Sequence, residues 1–174
     1  AENMLVNVLK RAKELAEKGV EIFASSSLKY FLYNPISTKN FNNETLLMFS
    51  KLDDYDILSA IKEWTNHSDK VLSLLSKMIV DRKLLKIEMQ QEVFSESYIN
   101  KKLQKASKKL EISLEEAHYF VFSKTISNQA YNSEKPILIL NKKGKLKDIA
   151  KASDQLNIQT LTNPVIKHFI CYPK

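Results

Sequence analysis

The stretch Asp81-Arg82-Lys83-Leu84-Leu85-Lys86-Ile87-Glu88-Met89 is where the chain changes period. Before it, apolar residues recur every three or four positions, the spacing of one helical face. From Leu84 to Met89 the run is short, apolar-rich and free of Gly and Pro, and it reads as a strand. If the chain is extended here, side chains alternate, and Arg82, Leu84 and Lys86 share one face. Two cations on one face, one of them carrying a guanidinium fork, make a clamp for a polyphosphate. A surface strand whose charges pair with neighbouring carboxylates has the same pattern.

Upstream the reading is helical. Met4, Leu5, Val8, Leu9, Ala12, Leu15 and Ala16 share one face of a helix over 2–18, and Gly19 is a C-terminal stop. A shorter helix spans 26–33 and ends at Asn34-Pro35, because the residue before proline is pushed out of the helical region. A polar loop is expected over 36–43. Leu52-Asp53-Asp54-Tyr55-Asp56 then opens a helix whose buried stripe is Ile57, Ala60, Ile61 and Trp64. Ser68 is expected to cap the next helix, with Val71, Leu72, Leu75, Met78 and Ile79 inward.

Downstream, a helix over 97–110 carries Ile99, Leu103, Ala106 and Leu110 on one side. Ser113-Leu114-Glu115-Glu116 is a capping-box sequence. Residues 119–126 are rich in aromatic and β-branched types and read as a strand. Pro136-Ile137-Leu138-Ile139-Leu140 reads as another, closed into a hairpin by Asn141-Lys142-Lys143-Gly144. A helix over 148–156 and a last alternating strand over 165–172 complete the chain. The expected class is α+β: a mainly helical N-terminal half, residues 1–80, followed by a small α+β lobe, residues 81–174, with a mostly antiparallel sheet.

Composition narrows the function. The chain has 174 residues, 44% hydrophobic and 27% charged, which is ordinary for a globular protein. No apolar run approaches the roughly 20 residues that span a bilayer. A single cysteine, Cys171, excludes a disulfide framework and fits a reducing, cytoplasmic setting. Net charge is +7, but of 27 cations only Arg11 and Arg82 are arginines. The richness in Lys and Asn looks like a genome-wide bias, which weakens net charge as a nucleic-acid signal. It singles out each Arg, since Lys has no planar bidentate fork. An apolar stripe is already under way at Met4 without a capping sequence, so the chain is expected to be a portion of a longer protein.

No complete active site assembles from these residues. His67, His118 and His168 are far apart, and none belongs to a metal-ligand motif. Asp53, Asp54 and Asp56 are oxygen ligands of the kind Mg²⁺ takes, yet their place just before an apolar stripe is that of an N-cap. Cys171 has no neighbouring base in sequence and reads as a small buried hydrophobe. Ser25-Ser26-Ser27 lacks the glycines of a nucleophile elbow. Two glycines cannot build a phosphate-cradling loop. Lys101, Lys102, Lys105, Lys108 and Lys109 lie opposite the apolar side of their helix; they read as a solvated face or as a salt-sensitive contact to nucleic-acid phosphates.

The order Leu52-Asp53-Asp54, a helix with Trp64, another helix, then Arg82-Lys83-Leu84-Leu85-Lys86 resembles the region downstream of the catalytic core in HD-domain dNTP triphosphohydrolases. This family includes bacterial dGTPase-like proteins and the human SAM-and-HD-domain enzyme. Its Arg-x-Leu-Phe-Lys element appears here with Leu85 in place of Phe. The resemblance covers essentially the whole chain. It implies that the divalent metal and its His and Asp ligands lie in a missing upstream HD domain, against which residues 1–80 would pack. It implies a homo-oligomer. It also implies that Arg82 and Lys86 contact a regulatory nucleotide between subunits, with Leu84 packing nearby and Lys142 reaching from the hairpin. The expectation is therefore a regulatory and oligomerisation portion with no catalytic residue, metal or cofactor of its own. The alternative is an independent nucleic-acid- or protein-binding module using the Lys-rich helix over 97–110.

Overall fold

In a computed structural model of the chain, the described residues are 1–128, 137–142, 144–149 and 165–174. The fold is α+β. Six helices are complete among the described residues: α1 (Glu2–Glu17), α2 (Ser26–Tyr33), α3 (Asn43–Ser50), α4 (Asp54–Trp64), α5 (Lys70–Val80) and α6 (Glu96–Leu110). The strands are β1 (Lys86–Gln90), β2 (Phe122–Asn128), β3 (Leu138–Leu140), β4 (Leu146–Asp148) and β5 (Val165–Tyr172).

Contacts divide the chain into two compact units that interleave in sequence. One comprises Ala1–Lys86, Ser97–Phe122 and Cys171–Lys174; the other comprises Ile87–Glu96 and Ser123–Ile170. All helices expected over 1–80 fall in the first unit, which also takes most of α6.

The first unit is built around α1 and α5. Met4, Val8, Ala12, Leu15 and Ala16 of α1 and Val71, Leu72 and Leu75 of α5 are buried, and the two helices pack together. Trp64 of α4 is 1% exposed, and its indole N–H donates to the Phe23 carbonyl at 2.9 Å. The aspartates near residue 54 are an N-cap: Asp53 accepts from the Tyr55 and Asp56 N–H groups, and Asp56 accepts from the Asp53 N–H at 2.9 Å. Two carboxylates at the positive end of a helix also suit its dipole.

Several local expectations are corrected. Asp69, not Ser68, caps α5; its carboxylate accepts from Leu72 N–H at 2.8 Å, whereas Ser68 is exposed outside the helix. A carboxylate one residue closer to the first turn takes the free N–H. The stretch after the polar loop contains α3, which was not foreseen. The strand expected from Tyr119 begins at Phe122, because Glu116–Tyr119 forms a 3-10 helix behind a reciprocal Ser113–Glu116 capping box. β4 ends at Asp148 and Ile149 is helical, so the helix expected over 148–156 starts one residue later; its remaining residues lie outside the described ones.

In the second unit β1, β5 and β2 form a three-stranded sheet in that order, and β3 pairs with β4 antiparallel as a hairpin. The hairpin turn is the expected one. Gly144 has φ +73°, its N–H donates to the Asn141 carbonyl, and the Asn141 side chain accepts from Lys145 N–H. Positive φ is the conformation glycine adopts at least cost. Along β5 the expected alternation gives way near its end, where Phe169 and Ile170 are both buried and Cys171 is half-buried, not enclosed.

Candidate functional site

Arg82 is positioned by the end of α5. Its N–H donates to the Ile79 carbonyl and the Lys83 N–H donates to the Met78 carbonyl. These two bonds define a Schellman motif, which places the residue after the cap in the left-handed region. Arg82 occupies that position with φ 57°. The αL conformation is one that glycine takes freely and L side chains take at a cost of order 1–2 kcal/mol. The turn consumes residues 81–85, so β1 starts only at Lys86 and the strand alternation expected to align Arg82, Leu84 and Lys86 does not run through this segment.

The turn nevertheless sets Arg82 at the edge of a groove of about 380 Å³. Met78, Leu84, Leu85 and Leu110 provide its apolar walls, and Arg82, Lys83 and Lys109 its cations. Arg82 is exposed and makes no ion pair among the described residues. Lys86, also exposed, has its ammonium 5.8 Å from the centre of the Tyr172 ring. Lys102 of α6 sits over the same ring at 3.4 Å and over Tyr98 at 5.0 Å. Such cation–π contacts hold an ammonium in place at modest energy. Lys102, Lys105 and Lys109 line a second groove, of about 260 Å³, which shares Lys109, Pro173 and Lys174 with the first. Lys109 donates to the Lys174 carbonyl between them.

The Arg-x-Leu-x-Lys element and the Lys-rich helix, read separately in sequence, thus meet on one surface. Tyr172, the ring that joins them, was not singled out; an aromatic at the end of a strand carries no sequence signal for a cation. Lys142 is exposed in the β3–β4 turn of the other unit. The groups of the grooves are ammonium and guanidinium donors with no acceptor capacity. Their chemistry is anion binding.

A solved phosphohydrolase structure from Bacteroides thetaiotaomicron matches this chain. The fold is that of part of a phosphohydrolase. The two superpose with a TM-score of 0.89 at 44% sequence identity, covering 99% of this chain and 44% of that one. The chain therefore spans less than half the length of the phosphohydrolase it matches. No protein-family model and no curated protein matches it.

A second cleft, of about 780 Å³, lies between α1 and the 3-10 helix. Arg11 stands at its base, bidentate to Asp69 at 3.1 and 2.6 Å, with Glu14 and Glu116 at 3.8 and 3.6 Å. The Asp69 hydrogen bond raises the guanidinium pKa further, against burial. Burial alone would lift the Asp69 carboxyl, but the bonds from Arg11 and from Leu72 N–H outweigh it and hold the carboxyl below its usual range. Burial first, and then its hydrogen bond to Glu14, push the Tyr119 hydroxyl up to about 12. Arg11 is thus already paired and ties α1 to the cap of α5; it is a structural arginine, in contrast to Arg82. Among the described residues no group of three His, Cys, Asp or Glu side chains is placed to hold a metal ion, and no helix is long and apolar enough to cross a membrane.

Proposed function

We propose that this chain is the non-catalytic, regulatory and oligomer-forming part of a larger HD-type phosphohydrolase acting on nucleoside triphosphates. The observation that carries the reading is the match at 44% identity, over 99% of this chain, to a phosphohydrolase more than twice as long. In this reading the divalent metal belongs to the remaining portion, where it activates water against a phosphate ester. This part supplies Arg82, Leu84 and Lys86 to the polyphosphate of a regulatory nucleotide. Arg82 suits the role because its fork is solvent-facing and unpaired among the described residues. Leu84 suits it as part of an apolar wall beside that fork. The outward apolar residues of α3 suit packing against the rest of the chain, and a reducing cytoplasm suits a chain with a single cysteine.

The test uses the longer protein. Hydrolysis of a dNTP in the presence of Mg²⁺ or Mn²⁺ is expected to rise on addition of a second nucleotide. Arg82→Glu is expected to remove that rise while leaving unstimulated turnover within about twofold. Stimulation that survives Arg82→Glu overturns the assignment of Arg82. Hydrolysis by residues 1–174 alone overturns the non-catalytic reading.

A further inference from the structure

Two apolar stripes run past the core. In α5, Val71 and Leu75 are fully buried, while Met78, further along the same helical face, is only half-buried. In α6, Leu103 and Ala106 are buried, and Leu110, next on that face, is again half-buried. Met78 and Leu110 both end at the groove of about 380 Å³ beside Arg82. The turn after α5 adds Leu84 and Leu85 to its walls, likewise half-buried. None of these four side chains carries a strong hydrogen-bonding group, so what they stabilise is hydrocarbon. The groove is a continuation of the core that no side chain fills among the described residues.

The charge at its rim is of one sign. Among the described residues no Asp or Glu lines the groove. Of its cations, Lys83 is paired with Asp81 at 3.3 Å, and Lys109 donates to the Lys174 carbonyl. Arg82 makes no ion pair among the described residues, and its left-handed backbone sets it beside the apolar walls. A guanidinium fork matches a carboxylate through two parallel hydrogen bonds. At roughly 30 Å³ per water-sized group, the groove holds on the order of a dozen such groups, the size of one alkyl chain and not of a two-chain lipid. Its apolar side chains are recessed and do not project, which suits a molecule taken from solution and not a bilayer surface.

We infer that this groove binds a single-chain amphiphile with an anionic head, a long-chain fatty carboxylate, with the carboxylate on the Arg82 guanidinium and the alkyl chain along Met78, Leu84, Leu85 and Leu110. Each methylene buried adds to the binding free energy, so tail length as well as charge sets affinity. Binding here is independent of regulation by a nucleotide and is measured without hydrolysis.

The test is isothermal titration calorimetry of the longer protein proposed above with dodecanoate below its micelle concentration. Saturable binding is expected, and each methylene removed, down to octanoate, should weaken it about two- to fourfold. Arg82→Gly keeps the turn, since glycine takes positive φ freely, and is expected to weaken dodecanoate binding about tenfold or more. Leu85→Gln should weaken it about as much through the tail, with circular dichroism confirming that both variants fold. Dodecyltrimethylammonium, which has the tail without the anion, and butyrate, which has the head without the tail, should each bind at least about tenfold more weakly. Absence of saturable dodecanoate binding overturns the inference. So does equal affinity for dodecyltrimethylammonium, which would mark unspecific apolar contact, or for butyrate or inorganic phosphate, which would mark a plain anion site. Unchanged affinity in Arg82→Gly or in Leu85→Gln overturns it as well. A protein that binds dodecanoate in the expected way but shows no stimulation by a nucleotide upholds the groove and refutes the regulatory reading alone.

Discussion

Helices α5 and α3 are both rich in apolar residues, and they use them in opposite directions. In α5, Val71, Leu72 and Leu75 are fully buried against α1 and α4. In α3 only Thr45 is buried, with its hydroxyl near Tyr30, while Leu46, Leu47 and Phe49 are 50–61% exposed. The first helix is amphipathic with respect to the core of this chain. The second has its apolar side turned away from that core, and an outward apolar face marks an interaction surface. Period alone does not distinguish the two; what differs is whether the apolar face is covered by other described residues.

The largest expected effect sharpens the α5 side. Leu75→Ala should lower the stability of the chain by about 2–5 kcal/mol, the cost of removing a buried leucine side chain and leaving a cavity. Urea midpoints at constant m-value measure it, and a loss below about 1 kcal/mol would mean that α5 is not the centre of the core.

Asp69→Ala comes next, at about 2–3 kcal/mol. It removes the cap of α5, worth about 1 kcal/mol, and leaves Arg11 without its bidentate partner. The side chains of that pair are 13% and 15% exposed, so solvent softens the penalty of a stranded charge only in part. The same carboxylate gives the pH dependence its sign. Its folded-state pKa is depressed, so its share of stability is complete above the unfolded value of about 3.9 and is lost as pH falls through the folded value. The difference between the parent and Asp69→Asn should therefore shrink on acidification below about pH 4. A difference that holds constant there would show that the Asp69 charge is not what stabilises.

The smallest effect tests α3. Leu47→Ala should change the stability of residues 1–174 by less than about 0.5 kcal/mol, and that of the longer protein proposed above by about 1–2 kcal/mol if the face is covered there. Equal small changes in both proteins would break the contrast between the helices.

What was legible in the sequence follows the same division. α1, α2, α4, α5 and α6 announce themselves through stripes that face this chain's own core. The β3–β4 hairpin announces itself through Asn141 and Gly144, whose local chemistry needs no tertiary partner. α3 did not, because Leu46, Leu47 and Phe49 form no buried stripe among the described residues; Phe49 meets the edge of the Phe31 ring and stays largely exposed. Arg82 and Lys86 stand out in the sequence as candidates, but their geometry does not. An arginine gives no sign that it will take the left-handed place after a helix, and the strand expected from Leu84 begins two residues later, at Lys86. Nor could spacing show that Lys102 and Lys86, sixteen positions apart, share Tyr172.

The backbone at Arg82 has a consequence for how this protein can change. Glycine at position 82 would relieve about 1 kcal/mol of strain and keep both hydrogen bonds of the motif. Drift under selection for folding alone, or a redesign guided by melting temperature, therefore runs downhill toward losing the guanidinium that the proposed regulation needs. Glu111 is the internal comparison, since it ends α6 with φ 51° and the same type of bond, from Ile112 N–H to the Ser107 carbonyl. If glycine spreads at position 111 but not at 82 among functional variants, the arginine is being kept by something other than the stability of the fold.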